Sequence, residues 1–233
     1  MKSSEEVKKF YDNYQFKFRH NLRHYIVINK LLDAGLNTHS HVLEIGCGNG
    51  ALTKLMVEKI KHGKITSIDI SSESIAHAKN NLKKYHNITH AVSDIVNFNS
   101  SEKFNMVVLS DVLEHIPIEY HDSLFKKMYD MLNQNGVVFI NIPEPKALEW
   151  IAEKEPEKLQ VIDQPLHSDS LISIAYKNGF YLKDLKSYSI FKDNPDSQCL
   201  VFVKRNLKHD YKSKSQWNII FRKYYYYLRS KLK

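Results

Sequence analysis

Three of the seven glycines in this 233-residue chain stand within five positions, at Gly46, Gly48 and Gly50. A chain that otherwise uses glycine sparingly has concentrated bare, conformationally free backbone at one point. Before them HVLEI (residues 41–45) is short and apolar and reads as a buried strand; after them ALTKLMVEKI repeats Leu52, Leu55, Met56 and Ile60 at helical spacing. The unit is strand, glycine loop, helix. Between a strand's carboxyl end and a helix's amino end, such a loop lets a ligand approach the backbone closely.

The same alternation continues down the chain. ITSIDI (65–70) precedes a helical SSESIAHAKNNLKKY; ITHAVSDI (88–95) leads to FNMVVLSDV (104–112); a helix near Tyr120 to Asn133 runs into GVVFINI (136–142). Strands alternating with helices predict a parallel sheet with right-handed crossovers. All six prolines lie beyond residue 116, which leaves the first half free to be regular. After Pro145 comes a polar, proline-broken stretch, then a helical SDSLISIAYKNGF and two strand-like runs, FYLKDLKSYSIF and CLVFVK, expected as an antiparallel hairpin at the sheet edge. The first 35 residues read as one or two helices with Leu22, Tyr25, Ile26, Ile28, Leu31 and Leu32 as an apolar face ending at Gly35.

The net charge of +8 is unevenly placed. Of 34 basic residues ten lie from Lys204 onward, against Asp210 as the one acid there, which leaves positions 1–203 with 24 basic and 25 acidic residues. A neutral body lacks the basic stripe that nucleic-acid phosphates require, so RNA is not the expected partner. Two cysteines, Cys47 and Cys199, exclude a disulfide scaffold and a four-cysteine zinc site. No run of about 18 apolar residues spans a bilayer, and the charged N-terminus is not a standard export signal. The expected location is cytoplasmic.

Asp69 falls 23 residues after Gly46, at the end of the next strand, where a carboxylate accepts both hydroxyls of a ribose. A nucleotide-like ligand is the natural candidate. The spacing GxGxG with Ala51 next departs from the dinucleotide fingerprint GxGxxG, and no Gly-Lys-Ser/Thr follows to make a P-loop. VLEIGCGNG (42–50), SIDIS (67–71), VSDI (92–95) and VVLSDVLEHIP (107–117) resemble, in order, the motifs of the class I S-adenosylmethionine-dependent methyltransferases, and the match runs from Val42 to Val203.

The resemblance implies an α/β, Rossmann-like, doubly wound sheet of seven strands, mostly parallel with an antiparallel C-terminal hairpin, and an N-terminal helical extension. It implies S-adenosylmethionine as cofactor and S-adenosylhomocysteine as product. Glu44 is then expected to face the methionine amino group, Gly46, Cys47, Gly48 and Gly50 to bed the methionine and ribose, and Asp69 to hold the ribose hydroxyls. Ile70 would pack on the adenine, Asp94 and Ile95 would meet its ring edge, and Ser110 and Asp111 would close the pocket. The bland alternatives are a strand-end turn for Asp94 and simple space filling for Cys47.

If the acceptor is a hydroxyl, its attack needs a base, and His115 and His167 are the candidates. Their alternatives are loop structure for His115 and an exposed position before a helix capped by Ser168 for His167. Asp111, His115, Glu144 and His167 have the chemistry of metal ligands, but nothing in their spacing fixes a site, and no metal is expected. Residues 1–36 are read as a helical lid carrying Tyr11 and Tyr14, 37–205 as the methyltransferase domain, and 206–233 as a basic aromatic helix. In that helix Trp217, Ile220, Phe221, Tyr224 and Leu228 recur at helical spacing among cations, which suits an anionic membrane surface through 217–233, the protein's own body or a partner subunit, with nucleic acid as the third alternative. The expected function is O-methylation of a small or glycan-like acceptor, with a lipid-linked surface polysaccharide in view. The alternatives are a quinone precursor or other small metabolite, and, in another class, RNA modification or a non-catalytic cofactor-binding regulator.

Overall fold

The structure, a computed structural model, describes residues 8–10, 12, 18–160, 162–204 and 213–231. Tyr11 and Tyr14 lie outside the described residues.

Among the described residues the main elements follow in the order α1 (Leu22–Ala34), β1 (His41–Ile45), α2 (Ala51–Val57), β2 (Lys64–Asp69), α3 (Ser72–Asn81), β3 (Ile88–Val92), β4 (Phe104–Ser110), α4 (His121–Met131), β5 (Leu132–Pro143), α5 (Pro145–Lys154), α6 (Ser168–Lys177), β6 (Phe180–Tyr188), β7 (Ser197–Lys204) and α7 (Gln216–Lys231). The strands form one sheet in the order β3-β2-β1-β4-β5-β7-β6. β3 through β5 pair in parallel, and β7 pairs antiparallel with both β5 and β6. The strand order reverses between β1 and β4, where an open α/β sheet leaves a crevice at its carboxyl edge.

Alternation along each strand sorts the core into two layers. Leu43, Ile45, Val107 and Leu109 face one side and pack with Leu124, Phe125 and Met128 of α4 and Leu171 and Ala175 of α6. Val42, Ile65, Val108 and Phe139 face the other and pack with Val27, Ile28 and Leu31 of α1 and Leu55 and Met56 of α2. Phe125 meets Phe180 and Phe202 edge-on at 6.2 and 5.9 Å, tying α4 to the antiparallel strands.

Several local expectations are corrected. The face that α1 buries is Val27, Ile28, Leu31 and Ala34, while Leu22, Tyr25 and Leu32 are 53, 50 and 37% exposed. That helix is apolar over more than half its circumference, so the pattern alone does not choose the packed stripe. The final pair, by contrast, is the antiparallel hairpin expected at the sheet edge, with β7 beside β5 and β6 outermost. β4 stops at Ser110 because Asp111 turns into the left-handed region with φ 56°. β5 begins at Leu132, directly from α4, instead of at Gly136. The stretch after Pro143 folds into α5, with the Glu144 side chain accepting from Ala147 N at its start. α7 buries no side chain. Among the described residues no helix is long and apolar enough to cross a membrane.

Candidate functional site

The glycine loop hangs on the neighbouring strand. The amides of Gly46 and Cys47 both donate to the Ile68 carbonyl, at 2.8 and 3.1 Å. Gly46 has φ 72°, and a Cβ there would collide with Val112 Cγ2, so its bareness serves packing against the end of β4. Gly48, with φ 52°, is different: a Cβ there would meet nothing within 4 Å. The loop is open on that side, as close approach of a ligand requires. A Cβ on Gly50 would lie 2.8 Å from Leu82 Cδ1, so this third glycine, at the start of α2, is set by helix packing rather than by the crevice.

Asp69 is the hub. Its Oδ2 accepts the Gly48 amide at 2.8 Å and its Oδ1 the Ser71 amide at 2.9 Å. A carboxylate has about four acceptor positions, so these amides leave acceptor capacity for a ligand hydroxyl. Burial raises its pKa against those amides, and the charge of Asp12 adds to the rise. Glu44, at the end of β1, is fully buried and accepts from the Thr53 hydroxyl at 2.6 Å. Burial pushes it up to about 8; the Thr53 hydrogen bond opposes this and the Asp69 charge assists it. A buried carboxyl with no cation beside it among the described residues fits a ligand that brings its own ammonium or sulfonium charge. Cys47 is buried in the same loop, and burial drives its thiol well above the ordinary range, so it is an inert neighbour.

Ile70 follows Asp69 at the mouth of β2. Asp94 accepts from the Asn97 backbone at 2.7 Å and the Asn97 amide side chain at 2.8 Å, so it closes a turn just past β3. Ile95 is buried in the core. On the far side of the switch point, Ser110 Oγ donates to Asp111 Oδ2 at 3.2 Å and Arg23 of α1 pairs with Asp111 at 2.8 Å. The buried Asn141 accepts from the Tyr188 hydroxyl, while Arg23 Nε and Asn141 Nδ2 have no hydrogen-bond partner among the described residues.

Three contacts from the N-terminal segment reach successive strand ends, and nothing local in the sequence announces them. Ser71 Oγ donates to Asp12 at 2.7 Å beyond β2, His20 Nε2 meets the Ala51 carbonyl at 3.1 Å beyond β1, and Arg23 pairs with Asp111 beyond β4. Thr53 joins the site through Glu44, and a hydroxyl nine residues after a buried strand-end glutamate is a readable signal for a helix packed on that strand.

The two histidines lie in different surroundings. His115 is nearly buried, with Nδ1 3.0 Å from Asp163 and against the Ile162 carbonyl. Burial would lower its pKa; the hydrogen bond to Asp163, the Glu114 carboxyl and the Ile162 carbonyl outweigh this and raise it to about 9. Burial in turn raises Glu114. Gln164 adds bonds to the Glu114 and Ile116 carbonyls, so residues 162–164 are sewn onto the end of β4 as a wall. His167 is 57% exposed at its side chain, with Nε2 3.0 Å from Glu149. It occupies the cap position of α6 without a side-chain cap bond, and Ser168 instead donates to Gln198 at 2.9 Å, which corrects the expected cap. Among the described residues no group of three or more His, Cys, Asp or Glu side chains is placed to hold a metal ion.

A family model described as a methyltransferase domain matches residues 42–136, from β1 into β5. The chain is 26% identical over 176 residues to malonyl-[acyl-carrier protein] O-methyltransferase 1 of Ilyobacter polytropus, covering 73% of this chain and 62% of that protein. It is 35% identical over 157 residues to ubiquinone biosynthesis O-methyltransferase of Coxiella burnetii, covering 62% of this chain and 65% of that protein. The chain thus spans less than two thirds of the length of either relative. The crystal structure of the N-methyltransferase NodS from Bradyrhizobium japonicum WM9 with S-adenosyl-L-homocysteine shares the fold, with TM-score 0.69 and 19% identity over 87% of this chain and 98% of that one.

Proposed function

We propose that this chain, which belongs to the class I S-adenosylmethionine-dependent methyltransferase family, methylates a hydroxyl of a small or glycan-like acceptor in the cytoplasm, a lipid-linked sugar among the candidates. The observation that carries the cofactor reading is Asp69, bonded to the Gly48 amide at 2.8 Å beside the one loop glycine that faces open space. When bound, S-adenosylmethionine supplies an electrophilic methyl on sulfonium sulfur. Asp69 would hold the ribose hydroxyls with its remaining acceptor capacity, Glu44 would ionise against the methionine ammonium, and Gly46, Cys47 and Gly48 would bed the chain between them. Ile70, Asp94 and Ile95 would border the adenine, for which Asp94 must share or release its turn with Asn97.

Residues 1–36 act in this reading as a lid, 37–205 as the methyltransferase domain and 206–233 as a separate basic aromatic helix. Asp12, His20 and Arg23 support the lid, since together they touch the ends of β2, β1 and β4. Closing over the crevice excludes water and leaves the charges inside less screened. Ser110 and Asp111 would border the reacting end. A hydroxyl acceptor must lose a proton, and His115 is loaded with one below about pH 9. It therefore positions the 162–164 wall, and His167, 3.0 Å from Glu149, is the remaining candidate base.

A second reading, methylation of a quinone precursor, is favoured by the 35% identity with the ubiquinone-pathway relative. Transfer of a tritiated methyl group from S-adenosylmethionine across glycan, quinone-precursor, amine and RNA pools separates the two. Label in glycans supports the first and label in quinone precursors the second; label confined to RNA or amines rejects both.

A further inference from the structure

We propose that α7 is a docking helix for the surface of an anionic lipid bilayer. The proposal stands apart from the methyl-transfer chemistry and rests on the helix itself. Over Gln216–Lys231 the backbone is continuous helix, yet every side chain is exposed. Trp217, Ile219, Ile220, Phe221, Leu228 and the four tyrosines Tyr224–Tyr227 are all more than 40% exposed. An apolar and aromatic surface of this extent is uncommon on a protein in water.

Helical geometry sorts these side chains. At about 100° per residue, Trp217, Phe221, Tyr224 and Leu228 fall within a stripe about 60° wide. Arg222 and Arg229, seven residues apart, project together on one flank, and Lys223 and Lys231 lie on the other. From Tyr211 to Lys233 there is no acidic residue. Two of the cations, Arg222 and Lys231, lie 5.9 and 5.8 Å from the rings of Tyr226 and Tyr227, keeping charge beside aromatic surface.

That combination selects its occupant. A cleft on another protein offers shape and paired acids at fixed places, and rewards an apolar stripe with polar remainder. Here the charge surrounds the stripe and is unbalanced by any acid, which matches a laterally uniform negative plane. Tryptophan and tyrosine prefer the headgroup boundary, where the ring is apolar and the polar edge stays wet. Each Lys or Arg brought to such a surface tightens binding about five-fold, less at high salt. Without 18 apolar residues the helix lies along the surface and does not cross it.

The test is flotation of the full chain with vesicles of 70% phosphatidylcholine and 30% phosphatidylglycerol, against pure phosphatidylcholine. The chain should float with the first and remain behind with the second, and release as sodium chloride is raised. Arg222→Gln with Arg229→Gln should weaken partition about 25-fold. Trp217→Ala with Phe221→Ala should also weaken it, and circular dichroism of both doubles should match the parent. Absence of flotation at low salt, equal flotation on both vesicles, or doubles that float like the parent would overturn the proposal. So would a dimer that disperses in the Trp217 and Phe221 double while vesicle binding is absent, since a second copy would then be the occupant. No cofactor enters the assay, so its outcome is separate from that of the methyl-transfer reading.

Discussion

The Gly48 amide donates to Asp69 Oδ2 at 2.8 Å, which joins the loop after β1 to the end of β2 across the crevice. Beside that bond, the position a Cβ of Gly48 would take has no atom within 4 Å. The loop and the acid form one preorganised unit, so loop substitutions separate folding from binding. Gly46→Ala meets both a left-handed backbone and Val112, and should cost about 2–5 kcal/mol of stability. Gly48→Ala meets only the backbone penalty, about 1–2 kcal/mol, yet should lower affinity for S-adenosylhomocysteine by ten-fold or more. Urea denaturation and calorimetry read the two effects; equal stability losses with equal binding would refute this division.

Glu44 gives cofactor binding a pH dependence. Its pKa of about 8 leaves it mostly protonated at pH 6, whereas a bound ammonium favours its ionised form. Affinity for S-adenosylhomocysteine should rise up to about ten-fold per pH unit from 6 toward 8, with proton release, and level off above 8. In the Glu44→Gln variant that slope should vanish. The same raised pKa means the ligand-free fold keeps a proton that the unfolded chain sheds, so this contribution to stability fades as pH rises from about 4.5 to about 8. A flat calorimetric profile between pH 6 and 8 would show that Glu44 does not ionise on binding.

His115 should titrate near 9 by NMR, and Asp163→Asn should bring it down, since burial then dominates. The sign for stability follows from a folded pKa above the unfolded value of 6.5. The contribution is fully present below about pH 6.5 and is lost as pH rises through about 9. His167→Gln should lower methyl transfer while cofactor affinity holds, whereas His115→Gln should lower both transfer and thermal stability. Unchanged turnover in both variants would remove histidine as the proton acceptor.

Asp111 combines a left-handed backbone at φ 56° with the Arg23 ion pair. Asparagine tolerates that conformation, and the pair is partly exposed, so Asp111→Asn should change stability by about 1 kcal/mol or less. Transfer should fall because Arg23 loses the contact that brings α1 to the end of β4. A variant with full turnover would show that the pair is only structural.

How much of this is visible in the sequence depends on the range of each interaction. His41–Ile45 is read to the residue because a buried strand bounded by a polar turn and by Gly46 leaves no other phase. Asp69 beside the loop follows from topology alone, since consecutive parallel strands of a right-handed unit are neighbours. The packed stripe of α1 is not legible in the sequence because Leu22 and Leu32 are as apolar as Val27, and only the sheet decides which are covered. The insertion of β7 beside β5 depends on pairing between distant segments such as Asn141 and Cys199. Arg23 with Asp111 and Asp12 with Ser71 are separated by long stretches of chain and carry no periodic signal, so the lid contacts emerge only from the folded molecule.

Calorimetric titration of S-adenosylmethionine into the wild-type chain and into Asp69→Ala, at pH 8, is the most direct check on the cofactor cradle. Saturable one-site binding is expected for the wild type, weakened by about 1.5–3 kcal/mol in the variant, or about 10- to 150-fold, as charge-assisted hydrogen bonds are lost. No binding to the wild type, or equal affinity in a variant with an unchanged melting temperature, would contradict it.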